Sequence, residues 1–413
     1  MQPTEQANPS PFAEQAEAWR ESIVAFAQDL VRTPSPSGDE KALAERLAAK
    51  MQELGYDEVF TDAIGNVVGR MRGAGTGPST LFVSHMDDVP AGDPALWQHD
   101  PLGGVIEDGF LHGLGAADHK GAIAAMVYAG ALLRKAGVPL RGDYLVAATV
   151  HQNTRASIGM RYLVDKTMPE RGLHVDLVVL GDPTRLDVFL GHRGRIEIEV
   201  VTVGRTSHAG APWLGANAVY KMMPVIEAVQ QLGTTLPSHP FLEKSTLALT
   251  DIEAAPGTPN AVPDRCTIAL DRRFLPSEGS DEVVWQVQSI INRLAAGERE
   301  FIGEVRVKQA TEVSYTGERQ TVGKLMHPFV TDQTHALVKD AVEALEAVGQ
   351  APRFGKWTFT TDGGYTSAIK KVITLGYAPG DEKFAQTPFD RVPIDQMIQA
   401  AAGYAAISAR VSG

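Results

Sequence analysis

The chain of 413 residues is longer than one hydrophobic core usually supports, so its length predicts two domains. Hydrophobic residues make up 44% and charged residues 21% of the sequence, which excludes fibrous, collagen-like and disordered chains. The formal net charge of -12, with no Lys/Arg stripe to reverse it locally, would repel a phosphate backbone and argues against nucleic acid as a partner.

The single cysteine, Cys266, excludes an internal disulfide framework and is typical of a reducing compartment. The N-terminal stretch MQPTEQANPSPFAEQ lacks the basic start and apolar segment of a signal peptide. No run of about 18 apolar residues occurs, so no membrane-spanning helix is expected. These features predict a cytoplasmic protein with no membrane partner.

The first predicted elements are two helices. Apolar residues recur at helical spacing between residues 11 and 31, and again between residues 42 and 54. The stretch TPSPSGDE interrupts this pattern, and Ser37 within it is expected to cap the second helix. The pattern predicts a helix-loop-helix entry.

Short β-branched runs then alternate with helical runs as far as Asp182. The strand-like runs are continuously apolar and read NVVGRM, STLFVSH, DYLVAATV and VDLVVLGD. Such runs are typical of a sheet covered by helices on both faces. The sequence therefore predicts an α/β domain with a mostly parallel sheet, and ligands usually bind at the carboxyl ends of such strands.

The strand pattern changes at about Arg193. Apolar and polar residues now alternate in RIEIEVVTV, STLALTDIEA and RCTIALDRRF, which is typical of antiparallel strands with one wet face. Helical runs lie between them, and the α/β style returns after EVRVKQA. The pattern predicts an α+β domain at residues 190–307, inserted into an α/β domain formed by residues 1–189 and 308–413.

Two fragments carry candidate metal ligands. His85 ends an apolar strand and Asp87 follows it, so the pair offers an imidazole ligand and a group to orient it. For this fragment alone, a histidine satisfied at a strand end is the favoured interpretation. Asp118 lies between a glycine-rich turn and a helix, where it is either a carboxylate ligand or a plain N-cap.

Taken together, these fragments resemble the zinc-dependent aminoacylase, carboxypeptidase and desuccinylase family of metallopeptidases. The ordered matches are SHMDDVP, DPLGG, IEDGFLHGLGAADHKGA, GDPTRL, GRTSHAGAPWLGANAV, PNAVPDRC, LDRRF, TTDGGY and GYAPGDEKFAQ. The resemblance implies a zinc-exopeptidase-like catalytic domain and a ferredoxin-like lid and dimerisation domain. It also implies that His85, Asp118 and Asp182 bind a first metal ion, with Asp87 orienting His85.

The sequence departs from this family at the second metal ion. Two consecutive glutamates of the family, a general base and a ligand, align with Gln152 and Asn153, and a ligand histidine aligns with Gln386. Neutral amides bind first-row metals much less strongly than carboxylate or imidazole, so one ion of Mn²⁺, Zn²⁺ or Co²⁺ per subunit is expected. Any second site from Asn153 and Gln386 would be weak.

An amide also cannot act as a general base, so Gln152 puts the usual peptide-hydrolysis mechanism in doubt. His151 and Asp87 are the candidate proton carriers. In the lid, His208, Asn260 and Arg273 match family residues that hold the substrate carboxylate or polarise its carbonyl, and Arg193 adds positive charge. The resemblance further implies a homo-oligomer formed through the lid, with His208 acting in a neighbouring subunit's site.

Three functions remain open, and the amides at positions 152, 153 and 386 favour the first of them. The first is hydrolysis of a small aromatic amino-carboxylate with release of ammonia, as in nitroanthranilate aminohydrolase, a relative of this family; Arg155 would then stabilise charge on the ring. The second is a conventional amidohydrolase or dipeptidase acting on a small N-acyl amino acid. The third is a non-catalytic binding homologue. In each case the expected ligand is a small carboxylate-bearing molecule.

Overall fold

A mixed sheet forms the centre of the larger domain in the computed structural model, which describes residues 11–154 and 156–413. Its spatial strand order is Glu58–Thr61, Val67–Met71, Tyr144–Thr149, Thr80–His85, Leu177–Leu180, Ile373–Gly376, Val188–Phe189 and Phe354–Gly355. Tyr144–Thr149, Thr80–His85, Leu177–Leu180 and Ile373–Gly376 pair in parallel. The predicted α/β fold is confirmed, with antiparallel pairings added toward both edges.

Both faces of this sheet are buried, as the apolar runs predict. Successive side chains of a strand point to opposite faces, so Phe82 joins one hydrophobic core while Leu81 and Val83 join the other. The helices of this domain are Pro11–Ala18, Arg20–Val31, Lys41–Glu53, Gly121–Lys135, Ile158–Tyr162, Met168–Glu170, Ala336–Ala347, Gly363–Thr366 and Ile394–Ser412. Two π-helical turns, Ala116–Lys120 and Leu163–Thr167, accompany them.

The cap that Ser37 was predicted to form, on the helix now seen as Lys41–Glu53, is wrong. That helix begins at Lys41 after Glu40, and no side chain caps it. The hydroxyl of Ser37 instead donates a hydrogen bond to Asp87 Oδ2 at 2.6 Å. Ser37, which was expected to cap a helix, therefore contacts the candidate site instead.

The lid is an antiparallel sheet with two helices. Its strand order is Thr246–Ala255, Arg265–Phe274, Gly194–Val203 and Ile302–Val307, and its helices are Ala218–Thr234 and Ser280–Gly297. The βαββαβ chain order is ferredoxin-like. Cys266 is fully buried in this domain's own core. Leu325–Met326, beyond the boundary expected at residue 307, also pairs with Gly194–Val203.

Smaller sheets and turns complete the fold. Val105–Glu107, Phe110–His112 and Arg391–Pro393 form a three-stranded sheet, and the two-stranded pairs are Gln309–Val313 with Arg319–Gly323, Ser238–His239 with Glu243–Lys244, and Gly191–His192 with Phe329–Val330. Short 3-10 turns cover Pro94–Leu96 and Pro212–Leu214. Among the described residues, no helix has the length and apolarity needed to cross a membrane.

Candidate active site

A cleft lies at the carboxyl ends of the parallel strands, where residues of the larger domain and of the lid meet. Its cavity volume is about 120 Å³, and its walls are Asp118, Gln152, Asn153, Asp182, Arg195, Arg273, Met326, Phe359, Thr360, Glu382, Ala385 and Gln386. Asp118, Asp182, Gln152, Asn153, Arg273 and Gln386 were all predicted from sequence as site residues. The structure brings these residues into one cleft from widely separated parts of the chain.

His85 is held rigidly at the end of its strand. Its side chain is 1% exposed, and Nδ1 lies 3.0 Å from the backbone oxygen and 3.3 Å from Oδ1 of Asp87. Burial alone would lower the pKa of His85, but the hydrogen bond to Asp87 and the charge of Asp118 outweigh burial and raise this pKa to about 10. Nε2 has no hydrogen-bond partner, which leaves it oriented toward the carboxylates.

Asp87 is an orienting group because every oxygen of its carboxylate is engaged. Oδ1 accepts from the backbone N–H of Gln152 and Oδ2 from that of Asn153, both at 2.9 Å, in addition to the Ser37 hydroxyl. Burial opposes ionisation of Asp87, yet the hydrogen bond with His85 lowers its pKa. The loop that carries Gln152 and Asn153 is thereby tied to the strand that ends in His85.

Asp118 lies on a π-helical turn rather than in a capping position. The turn Ala116–Lys120 precedes the helix Gly121–Lys135, and no side chain caps that helix. Asp118 Oδ2 lies 3.7 Å from Nε2 of His85, and burial raises the pKa of Asp118. The N-cap interpretation is therefore wrong, and Asp118 faces the cleft.

The same turn buries His119, which sequence reasoning missed. Its ring stacks on that of His85 with 4.4 Å between the centroids. One ligand atom from each of His85, Asp118 and His119 lies within 4.8 Å of the others, an arrangement able to hold a metal ion. His119 is adjacent to Asp118 in the sequence. In an ordinary α-helical turn two adjacent side chains point in different directions, so the sequence did not indicate that both point inward.

Asp182 follows the strand Leu177–Leu180 and is 3% exposed. Its Oδ1 accepts a hydrogen bond from Gln152 Nε2 at 3.0 Å. Burial, reinforced by the charges of Asp362 and Asp118, raises the pKa of Asp182 to about 7. Burial also raises the pKa of Asp362 to about 6. The site therefore concentrates buried carboxylates whose ionised forms need a positive partner.

A chain of amides lies beside these carboxylates. Gln386 Nε2 donates to Asp118 Oδ2 at 3.3 Å and to Asn153 Oδ1 at 2.9 Å. Asn153 Nδ2 donates in turn to the backbone oxygen of Asp87 at 2.5 Å. Each amide therefore points an N–H group at an oxygen of the site.

The lid supplies the positive charge of the cleft. Nε of Arg195 and Nε of Arg273 each donate to one carboxylate oxygen of Asp271 at 2.7 Å. Arg195 also pairs with Glu197 at 2.6 Å. Both guanidinium groups line the cleft from this fixed position, and guanidinium is well suited to binding a carboxylate.

Besides His85 and Asp87, four of the predicted residues that the structure describes do not line the cleft. His151 is 2% exposed and lies beside Gly38, and its backbone N–H donates to Glu40. Arg193 donates to the backbone oxygen of Lys244. His208 and Asn260 are exposed on the lid, where Ala209, the residue after His208, donates its backbone N–H to the backbone oxygen of Asn260 at 3.0 Å. Arg155 lies outside the described residues.

Glu382 is a cleft residue that the sequence did not single out. Its carboxylate accepts the backbone N–H of Thr358 at 3.3 Å, and burial raises its pKa. It follows Gly380, whose φ is +87°, and precedes Gln386 in the same loop. Only the fold of that loop reveals that Glu382 faces the cleft.

Comparison with known proteins gives a consistent set of relatives. Residues 81–410 match the family model described as peptidase family M20/M25/M40. The uncharacterized protein YgeY of Escherichia coli is 31% identical over 403 residues, with 95% of each chain covered. A succinyl-diaminopimelate desuccinylase of Alkalilimnicola ehrlichii is 27% identical over 354 residues, covering 83% of this chain and 86% of that protein.

Solved structures share the fold at lower identity. Aminopeptidase PepT from Bacillus cereus superposes with a TM-score of 0.72 at 19% identity, covering 95% of this chain and 99% of that one. Human carnosine dipeptidase 1 superposes with a TM-score of 0.69 at 16% identity, covering 97% and 99% of the two chains. Both likenesses support the two-domain α/β fold.

Proposed function

The chain belongs to peptidase family M20/M25/M40, a family of metal-dependent hydrolases that act on C–N bonds, and on that premise we propose that it hydrolyses a small carboxylate-bearing amide at a single divalent metal ion. The observation that carries this proposal is the cleft itself. Its walls include the buried carboxylates of Asp118 and Asp182, with His85 Nε2 at 3.7 Å from Asp118, while the positions expected to bind a second ion are Gln386, which donates to Asp118, and Asn153, which accepts from Gln386.

The residues present fit one ion. Nε2 of His85 is buried without a hydrogen-bond partner, and the carboxylates of Asp118 and Asp182 are buried with raised pKa values. These three residues would hold the ion, and imidazole with carboxylate oxygen suits Zn²⁺, Mn²⁺ or Co²⁺. When bound, such an ion supplies Lewis acidity toward the water and the substrate carbonyl.

The residues do not fit a second ion. Gln386 points an N–H group at Asp118 and at Asn153, so the oxygen atoms that would face a second cation already accept hydrogen bonds. Asn153 and Gln386 add no negative charge. The hydrogen bond from Gln386 stabilises Asp118 in its ionised form without a metal partner on that side.

Proton transfer is assigned to Glu382. Gln152 is an amide that donates to Asp182, Asp87 is fully engaged, and His151 lies outside the cleft walls. Among the described cleft residues, Glu382 is the carboxylate left after Asp118 and Asp182. A desolvated carboxylate with a raised pKa suits a group that accepts a proton from water and returns it to a leaving amine.

Substrate binding is assigned to the lid. Arg195 and Arg273 face the cleft and would bind the substrate carboxylate, while Phe359 offers an apolar wall. The curated relatives named as desuccinylases favour an N-acyl amino acid or small peptide as the substrate class. The chain would then cleave the amide and release the free amine.

A second candidate is the arylamine reaction, favoured by the aromatic wall at Phe359 and by Gln152 in place of a glutamate base. Initial rates on N-acyl amino acids, dipeptides and aminobenzoates, each with Zn²⁺, Mn²⁺ or Co²⁺, separate the candidates. Deacylation without ammonia release from aminobenzoates supports the first proposal, and the converse supports the second. No turnover with any metal contradicts both.

The same proposal includes a homo-oligomer through the lid. The strand Thr246–Ala255 lies at the edge of the lid sheet and exposes Leu249 and Ile252, and the adjoining helix exposes Tyr220 and Met223. Because His208 is exposed outside its own cleft, a neighbouring subunit's cleft is its proposed place of action. Sedimentation equilibrium that finds only monomers would contradict this part.

Restoring the missing ligands is expected to create the second metal site. In the triple change Gln152→Glu, Asn153→Glu and Gln386→His, carboxylates and an imidazole replace three amides, of which Gln386 now donates to Asp118 and Gln152 to Asp182. Anomalous scattering is expected to show one ion in the wild-type cleft and two in the variant cleft. Two equally occupied ions in the wild-type cleft, or one ion in the variant cleft, would show that the amides do not determine how many metal ions bind.

A further inference from the structure

A second cluster of metal-binding side chains lies outside the cleft, at the edge of the three-stranded sheet; we call His99, Glu107 and His112 the rim site. Nε2 of His99 is 3.1 Å from Oε2 of Glu107, and the rings of His99 and His112 lie edge to face with centroids 4.8 Å apart. One ligand atom from each of these side chains lies within 4.8 Å of the others.

The sheet explains why these side chains converge. In the hairpin of Val105–Glu107 and Phe110–His112, Val105 is directly opposite His112. Glu107 is two residues from Val105 and so shares its face, which makes Glu107 and His112 diagonal neighbours. The segment that precedes the hairpin brings His99 over the same face. Three donors are thus supplied by a paired hairpin and an adjoining loop.

The groups around the rim site orient its donors. Gln98 Nε2 donates to Glu107 Oε2 at 3.2 Å, and the His112 ring has a hydrogen bond with the backbone of Glu107. Metal-binding histidines commonly use one ring nitrogen for the ion and the other for a backbone or carboxylate partner.

We propose that the rim site binds a zinc-class divalent ion through His99, Glu107 and His112. Two imidazoles and one carboxylate, with an open position toward solvent, form the donor set of a tetrahedral Zn²⁺ site rather than an all-oxygen Mg²⁺ or Ca²⁺ site. Arg391 is opposite His112 in the sheet, and its positive charge opposes the ion. Binding is therefore weaker here than in the cleft.

The rim site connects directly to the loop that carries Asp118. Gly113 follows His112, and its N–H donates to the backbone oxygen of Asp390 at 3.0 Å. The carboxylate of Asp390 accepts the N–H groups of Gly115 at 2.9 Å and Ala117 at 2.7 Å. An ion at the rim site ties the hairpin to the segment 113–117 and stabilises the turn that presents Asp118. Its role is structural support.

Zinc titration of the chelator-treated full chain tests the rim site. Anomalous scattering from zinc-soaked crystals is expected to show an ion at the rim site in addition to the cleft ion. Calorimetry is expected to show the weaker binding step weakened about tenfold or more by Glu107→Gln and abolished by His99→Ala. His174→Ala is the matched control, because His174 pairs with Asp176 on the surface at 3.2 Å, outside the cluster.

A stability measurement separates this site from the proposed active site. Zinc is expected to raise the Tm of the variant Asp182→Asn, since its rim site is intact, and this rise is expected to vanish when His99→Ala is added. Loss of the cleft ion alone contradicts the proposed function and leaves the rim site standing. An absent rim peak at saturating zinc, or an unchanged weak step in His99→Ala, overturns the rim site.

Discussion

Replacing Asp182 with Asn is expected to remove the ion from the cleft and to abolish hydrolysis while the fold is retained. Asn keeps the shape and still accepts the hydrogen bond that Gln152 Nε2 donates to Oδ1. It removes one of the buried charges that would hold the ion. Even losing an outer partner of a metal ligand costs about 10- to 100-fold in affinity or activity, so losing a ligand is expected to cost more than about 100-fold.

Metal analysis and stability measurements check this result together. Without added metal, the Tm of Asp182→Asn is expected to equal or exceed that of the wild type, because a neutral amide replaces a buried carboxylate whose pKa is raised to about 7. The control is Asp340→Asn, which removes a partly exposed partner of Arg410. A variant that keeps both the cleft ion and wild-type kcat would mean that Asp182 is not a ligand.

The positions of His85 and Asp182 in the site were predictable because they follow from the order of the strands. His85 and Asp182 come at or just after the ends of buried apolar strands, and parallel strands place such ends at one edge of the sheet. The family motifs then placed Asp118 beside them. These features depend on local sequence and on one topological rule, so the cleft and its position in the fold could be read from the chain.

Side-chain direction was not predictable in the same way. Whether Gln386 points its N–H at Asp118 depends on a contact between residues far apart in the chain. Ser37 had a local explanation as a cap, and its hydrogen bond to Asp87 exists only because the loop folds over the sheet edge. His119 depends on a π-helical turn, which has no clear sequence signature. Contacts between distant parts of the chain set the directions of Gln386 and Ser37, and an unusual local turn set that of His119.

The substitution Glu382→Gln is expected to lower kcat about 10²- to 10⁴-fold, because a positioned proton carrier usually contributes that much to the rate. Gln keeps the length of the side chain and still accepts the backbone N–H of Thr358, so the loop is expected to stay in place. Arg195 and Arg273 are untouched, so KM is expected to change far less than kcat. The cleft ion is expected to bind as before, since Glu382 is not among the ligands.

The pH profile distinguishes a proton carrier from a merely structural side chain. Burial raises the pKa of Glu382, and a carboxylate must lose its proton to accept one, so wild-type kcat/KM is expected to rise with pH through that raised pKa. This acid limb is expected to disappear in Glu382→Gln. Asp381→Asn is the control for disturbance of the same loop, because Asp381 pairs with Lys383 at 3.1 Å. If the Glu382→Gln enzyme keeps the wild-type kcat and an unchanged acid limb, a group other than Glu382 carries the proton.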